Sequence, residues 1–336
     1  MATEADMMSR YVSEPYIAHT AEQVKQKLSE YGVCIVRVLD EQECEQLEAG
    51  MWQWLERATS QLDVPVQRER AETYRSFYEL HPSHGMLLQH WGVGHSQFAW
   101  DVRQHTRVID VFAQLWGCAP VDLLTSFDGA SISLPHEVTK RGYFRGNTWL
   151  HTDQSYLRNG YECVQAWVTA REVREGDATL AFIPGSHKLH GAFAAHFGGA
   201  VQQKPDWFKL SPAQQQWYVE QTGSDVQYIK CPRGSMVLWD SRTIHSGQEA
   251  VRARPRENTR MVVYVCMTPR NWTKSKQVLA KRIKAFEAAR MTTHWPHQVK
   301  LFGKHPQLYG KPVPRVPPAP TPRLSPLGRR LVGYSQ

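Results

Sequence analysis

The chain has 336 residues, 41% of them apolar, 21% charged and 11% aromatic, with twelve Trp. That composition excludes a disordered, collagen-like or coiled-coil protein, and a chain of this length can bury roughly three quarters of its unfolded surface. The net charge of +8 is uneven: residues 268–336 carry 14 Lys and Arg against the single acid Glu287, whereas residues 1–267 carry 26 against 31.

Basic character therefore belongs to the last fifth of the chain. Such an excess is either a solvated tail or a surface for nucleic acid or another acidic partner. No run approaches the ~20 apolar residues of a membrane helix, and the opening MATEADMMSRYVSEP has no basic-then-apolar leader. Six scattered cysteines without a C-x-x-C pair read as reduced core thiols, so the expected compartment is cytoplasmic or nuclear.

In chain order, Thr20–Tyr31 carries an N-cap Thr and apolar Val24 and Leu28 at helical spacing. Gly32 stops that helix, and the β-branched run Val33–Leu39 reads as a buried strand. Asp40 caps a second helix to Arg57, with Cys44, Leu47, Met51 and Leu55 on one stripe. Residues 58–95 are irregular and rich in His and aromatics; His81, His84, His90 and His95 could line a substrate entrance. Residues Ser96–Trp116 are expected to be helical.

From residue 120 short apolar runs alternate with Gly, Pro, Asp and Asn. They are Val121–Leu134, Tyr143–Asp153, Cys163–Val173, Ala178–Ile183, Val226–Lys230, Ser235–Asp240 and Arg260–Met267. Strands at this spacing predict a β-sandwich or barrel with flanking helices. Three regions are expected: an N-terminal helical layer with one strand (1–119), a β core (120–268) with an insertion at 189–225, and a C-terminal basic helix and tail (269–336). Seven prolines within Lys311–Gly328 predict an extended tail.

The sharpest local signal is Trp149-Leu150-His151-Thr152-Asp153-Gln154. In a strand, residues i and i+2 share a face, so His151 and Asp153 can point together into a barrel. An imidazole beside a carboxylate is two thirds of the facial triad of non-haem Fe(II) oxygenases. His245, late in the β region, is the candidate for the third ligand. His187 and the i, i+3 pair His294 and His297 read instead as structural or surface histidines, with no carboxylate near the pair in sequence.

Taken together, His151-Thr152-Asp153, the Ile183-Pro184-Gly185-Ser186-His187 box, His245 followed by Ser246-Gly247-Gln248, and a basic residue heading the last core strand resemble the phytanoyl-CoA dioxygenase family of Fe(II)/2-oxoglutarate-dependent oxygenases. Gly32 before Val33–Leu39 matches the family's opening, and the resemblance covers roughly residues 20–268. It implies a double-stranded β-helix, or jelly-roll, core. It also implies Fe(II) held by His151, Asp153 and His245, with 2-oxoglutarate as co-substrate and O₂ as oxidant.

The distal carboxylate of 2-oxoglutarate needs a cation, and a guanidinium fork suits it. Arg260 is the first choice and Arg256 the second, with Ser246 as an added hydroxyl; Gln165 and Trp167 alternate on a core strand that can face the cavity. Halogenating relatives have a small residue in place of the carboxylate, so Asp153 implies hydroxylation of a C–H bond of a small molecule, with release of succinate and CO₂. Two other readings use the same residues. One is a lapsed oxygenase scaffold whose basic tail binds an acidic partner; the other is a cupin-like metalloenzyme working without 2-oxoglutarate.

Overall fold

The computed structural model describes residues 3–81, 86–146, 148–198 and 206–335; His84 lies outside them. Thirteen strands form two sheets among the described residues. The strands are β1 (Tyr11–Val12), β2 (Ile17–Ala18), β3 (Val33–Arg37), β4 (Leu123–Thr125), β5 (Ala130–Ser133), β6 (His151–Thr152) and β7 (Val164–Thr169). They continue with β8 (Thr179–Phe182), β9 (Phe208–Lys209), β10 (Gln227–Ile229), β11 (Ser235–Asp240), β12 (His245–Gln248) and β13 (Arg260–Pro269). One sheet runs β1-β10-β8-β12-β6-β9. The other runs β2-β3-β11-β7-β13-β4, with β5 also paired to β13. Two mixed sheets with flanking helices make the jelly-roll core that the family resemblance implies.

Burial explains the sequence of the second sheet. Its strands read as continuous apolar runs because both faces are covered. Val33, Ile35, Val237, Trp239 and Val262 pack inward against Leu180, Phe182 and Ile229 of the first sheet. Their neighbours Cys34, Met236, Leu238, Met261 and Val263 pack outward against Val24, Leu28, Leu47, Met51 and Leu55 of the helices Ala21–Tyr31 and Glu41–Thr59. The period of two along each strand thus separates a helix-facing set from a barrel-facing set.

Several expectations change. The N-terminal region supplies three strands, not one: β2 pairs in parallel with β3, and β1 with β10. The span Ser96–Trp116 is two helices, Gln97–Arg103 and Thr106–Trp116, separated at Gln104 and His105. Among the described residues of Tyr143–Asp153, only His151–Thr152 is strand; Tyr143 makes an isolated bridge to Ala250.

The tail is not free. Pro317 and Pro318 carbonyls accept from Arg57, and a last helix, Pro326–Val332, inserts Leu331 and Val332 fully into the core. Its anchor is Arg282, itself fully buried, which donates to the carbonyls of Val332, Leu331, Pro296 and Thr125. Part of the basic excess is therefore consumed inside the fold.

Replacing Arg282 leaves four buried carbonyls without donors, each costly to bury alone. The Arg282→Met protein should lose about 3 kcal/mol or more of unfolding free energy, against less than about 0.5 kcal/mol for the exposed neighbour Lys284→Met; urea unfolding of both variants measures the difference.

A second expectation concerns pH. Burial pushes His95, His190 and His297 down to about 4, so all three stay neutral in the folded chain while an unfolded histidine takes a proton near 6.5. The unfolded state then binds more protons between pH 6.5 and 4, and stability must fall as pH falls through that window. A urea midpoint that is flat between pH 7 and 5 would contradict it.

Candidate functional site

The site begins with strand register. In the antiparallel pair β6–β12, His151 lies directly opposite His245, so both side chains leave the sheet on one face. Their rings are 4.5 Å apart, centroid to centroid. Each imidazole is oriented from behind: Nδ1 of His151 bonds the Trp149 carbonyl at 3.0 Å, and Nδ1 of His245 the Thr243 carbonyl at 2.8 Å. A carbonyl can only accept, so Nδ1 carries the proton and Nε2 presents its lone pair to the interior. Two residues past His151, Asp153 sends Oδ1 to 3.6 Å from Nε2 of His151 and Oδ2 to 3.3 Å from Nε2 of His245.

One donor atom from each of these three buried residues lies within 4.8 Å of the others. Burial brings His151 down to about 4, so it is neutral at pH 7. Burial works against the Asp153 charge, but the surrounding imidazoles, His151 foremost, outweigh it and hold the carboxyl well below the usual carboxylate range. Two imidazole nitrogens and one carboxylate on a common face suit a divalent transition metal. Gln165 donates from Nε2 to Asp153 Oδ2 at 2.8 Å, steadying the carboxylate. The Trp239 indole N–H meets Nε2 of His245 at 3.1 Å, so a metal at that nitrogen takes the lone pair this indole now uses.

Behind the triad, the barrel-facing positions of β7 and β13 carry Gln165, Trp167, Arg260 and Tyr264. Tyr264 is directly paired with Trp167. Arg260 is buried with its guanidinium 4.9 Å from the centre of the Trp167 ring, and donates to Ser131 Oγ and to the Ala178 carbonyl. No carboxylate pairs with it among the described residues. Arg254, by contrast, is spent on Glu137 and Asp177, and Arg256 is exposed in a loop. The Trp167 indole N–H is buried without a hydrogen-bond partner. An unpaired guanidinium beside an orphaned N–H, in the same barrel interior as a metal-type donor set, fits a dicarboxylate that chelates with one end and ion-pairs with the other.

Ser246 is not brought to this place. It pairs with Ala181, which packs in an outer cluster, while His245 pairs with inward-facing Phe182. His187 bonds the Ser29 carbonyl and packs against Gly32. His95 is a core residue between Phe127 and Phe286, not part of an entrance. His81 and His90 line a mouth cavity of about 670 Å³ walled by Trp149, Trp207 and Phe144; none of the three ligands lines it, and it adjoins them through Trp149 and Trp207, whose rings contact His151. Trp149 stacks on His151 at 4.8 Å and is locked by its N–H to the Gly247 carbonyl. A cleft of about 860 Å³ between Lys25, Tyr161 and Arg242 contains none of the three ligands.

Sequence reasoning missed Trp149, Trp239 and Tyr264, although Trp149 and Tyr264 stand at period-two positions beside His151 and Arg260. His294 and His297 join no metal-type donor cluster among the described residues.

The profile described as Phytanoyl-CoA dioxygenase (PhyH) matches residues 28–257. Ava biosynthesis cluster protein O of Aspergillus versicolor is 29% identical over 215 residues, which is 62% of this chain and 66%, just under two thirds, of that protein. Among solved structures, hypothetical protein JW0805 of Escherichia coli aligns over 98% of this chain and 84% of its own, with a TM-score of 0.55 and 15% identity. The epimerase SnoN, solved with Fe3+, alpha ketoglutarate and nogalamycin RO, aligns over 74% of this chain and 83% of its own, with a TM-score of 0.46 and 15% identity. With its family profile matched across more than half its length, the chain belongs to the phytanoyl-CoA dioxygenase family.

Proposed function

We propose that this protein is an Fe(II)/2-oxoglutarate-dependent dioxygenase that hydroxylates a C–H bond of a small molecule. The observation that carries the reading is the shared interior of two elements. One is the His151, Asp153 and His245 donor set, with both Nδ1 protons tied to carbonyls. The other is a buried Arg260 with no carboxylate of its own.

In this reading His151, Asp153 and His245 would hold iron. Arg260 takes the distal carboxylate of 2-oxoglutarate, with the Trp167 N–H as a second donor. Bound together, iron and 2-oxoglutarate supply a two-electron oxidation in which O₂, 2-oxoglutarate and substrate become succinate, CO₂ and the hydroxylated product. Gln165 keeps the Asp153 carboxylate oriented toward the metal, a role that outer hydrogen bonds commonly serve at such centres. Asp153 also occupies the position that a halide would need, which favours hydroxylation over halogenation. Trp149 and Trp207 wall the mouth cavity above His151 and would exclude water from the substrate carbon. Those aromatic walls, with Arg145 and Lys209 at the rim, suit a compact substrate with an unsaturated or apolar body.

Succinate release from labelled 2-oxoglutarate, with Fe(II) and O₂ supplied, tests the assignment. His151→Ala and His245→Ala should each remove Fe(II)-dependent succinate formation. Arg260→Met should keep Fe(II) affinity within about twofold and raise the KM for 2-oxoglutarate by about tenfold or more, the cost of losing a charged hydrogen-bond partner. Undiminished succinate from the His151→Ala protein would sink the ligand assignment.

A further inference from the structure

The mouth cavity extends the register that brings the two imidazoles together. Trp149 stands two residues before His151 and Gly247 two residues after His245, so both positions share the face of those rings. The Trp149 N–H donates to the Gly247 carbonyl at 2.9 Å, and a Cβ on Gly247 would meet the Trp149 ring and the Met86 methyl at 3.5 Å. The indole thus covers a position that has no side chain of its own. Trp207 approaches from the other side, its ring centre 5.7 Å from that of His151.

This cavity gathers exposed aromatic surface. Among the described residues five aromatic side chains are exposed: Trp149, Tyr161, Trp207, Trp272 and Tyr309. Trp149, Trp207 and Tyr309 all line the mouth, whereas none of the exposed Val and Leu side chains does. Open aromatic rings gathered in one concavity mark a ligand surface. Such rings favour a flat aromatic partner, because stacked and edge contacts add to the burial of area and a saturated skeleton cannot make them.

Tyr309 belongs to the segment beyond the family match, which ends at residue 257. The Lys311 N–H donates to the Leu308 carbonyl at 3.1 Å and closes a tight turn, with Tyr309 at φ +52° and Gly310 at φ +81°. Two successive left-handed residues suit Asn, Asp and Gly, and a bulky ring at the first of them strains the backbone. No burial offsets that strain: Tyr309 is 63% exposed, and Leu308 takes the buried place beside it. The segment is nevertheless fixed on both sides. His305 packs its ring 5.1 Å from that of Trp91, and Arg57 holds the carbonyls of Pro317 and Pro318. A strained, exposed ring held at the rim of a cavity points to a role in binding.

The polar lining narrows the class further. Gln89, Thr148 and Gln307 offer neutral hydrogen-bonding groups. Arg145 and Lys209 stand against Glu249, a near balance of charge that gives little hold on a polyanion.

We propose that the substrate is a planar aromatic small molecule with a hydroxyl or carbonyl at its edge, held by Trp149 and Trp207 on the side of His151 and by Tyr309 at the rim. Tyr309 is then a specificity-determining residue. This rests on the dioxygenase reading above and names the substrate class for that site.

The test uses the full chain loaded with Fe(II) and 2-oxoglutarate under exclusion of O₂. The probes are 2-naphthol and its saturated counterpart decahydro-2-naphthol, which share a carbon skeleton and a hydroxyl. Calorimetry should show 2-naphthol binding about fivefold or more tighter. The visible absorption of the Fe(II) chelate of 2-oxoglutarate should persist, since the probe occupies the mouth and leaves the co-substrate in place. Tyr309→Gly removes the ring and relieves the turn, so its melting temperature should be no lower than that of wild type. Its Kd for 2-naphthol should nonetheless rise about fivefold, with a smaller change for the saturated probe, while Tyr309→Phe stays within about twofold of wild type.

Equal affinity for the two probes, tighter binding of the saturated one, or binding of neither would overturn the aromatic class and leave the dioxygenase reading intact. Wild-type affinity for 2-naphthol in Tyr309→Gly would overturn the role of Tyr309. A wild-type protein that binds Fe(II) but no 2-oxoglutarate would overturn the dioxygenase reading itself, and this proposal with it.

Discussion

The direct opposition of His151 and His245 across β6 and β12 is the constraint on which the site depends. A strand register has a period of two, so a slip of one residue would turn one imidazole away from the interior and leave two ligands where three are needed. The register is held from several sides. β12 pairs along its whole length with β8, the Thr152 hydroxyl donates to the Ser241 carbonyl, and the Ile244 N–H donates to the Ser186 hydroxyl. Gly32 contributes through its lack of a side chain: it sits at φ +77°, its carbonyl accepts from the Thr243 hydroxyl, and a Cβ there would stand 2.4 Å from that oxygen. The turn that stops the first long helix is therefore also the buttress of the segment that delivers His245.

The two sheets divide the work unequally. The six-stranded sheet carries the three metal-type ligands on and beside short, interrupted strands, where a carboxylate can turn in from the end of β6. The other sheet, buried on both faces, carries Gln165, Trp167, Arg260 and Tyr264 on long regular strands. Charge is placed where it is supported. Arg254, Asp177 and Glu137 neutralise one another outside the cavity, and Arg103 donates to the carbonyls of Gly94 and Asp128. Arg260 is cushioned on the Trp167 ring and bonded to two neutral oxygens, with no carboxylate partner among the described residues.

Much of this was legible in the sequence because two periodicities coincide. The i, i+2 spacing of His151 and Asp153 describes a shared face whether or not the strand is long, and the apolar runs around Val33, Val237 and Val262 reveal a sheet covered twice. His245 and Arg260 were chosen through the order of elements, not through any local pattern. What stayed hidden has one physical cause: contacts made by segments with weak local signals. β1 and β2 are two-residue strands, too short to show alternation, and exist only because their partners are already in place. The proline-rich stretch reads as extended, which it is, but docking through carbonyls leaves no trace in side-chain pattern. Ser246 was misplaced by nearness to His245, since adjacent strand residues face opposite ways.

The burial of Leu331 and Val332 beneath Arg282 bears on how the protein is made. Residues from the beginning, middle and last helix of the chain meet in one hydrophobic cluster, so the contacts that close it are separated by most of the sequence. A nascent chain on the ribosome can form the helix around Val24 and Leu28 early, but it cannot seal this cluster until residue 332 has left the exit tunnel. Until then the outward face of β11 and β13 is incompletely shielded, and the interval of synthesis between β13 and the last helix is the window in which a chaperone would find apolar surface to hold.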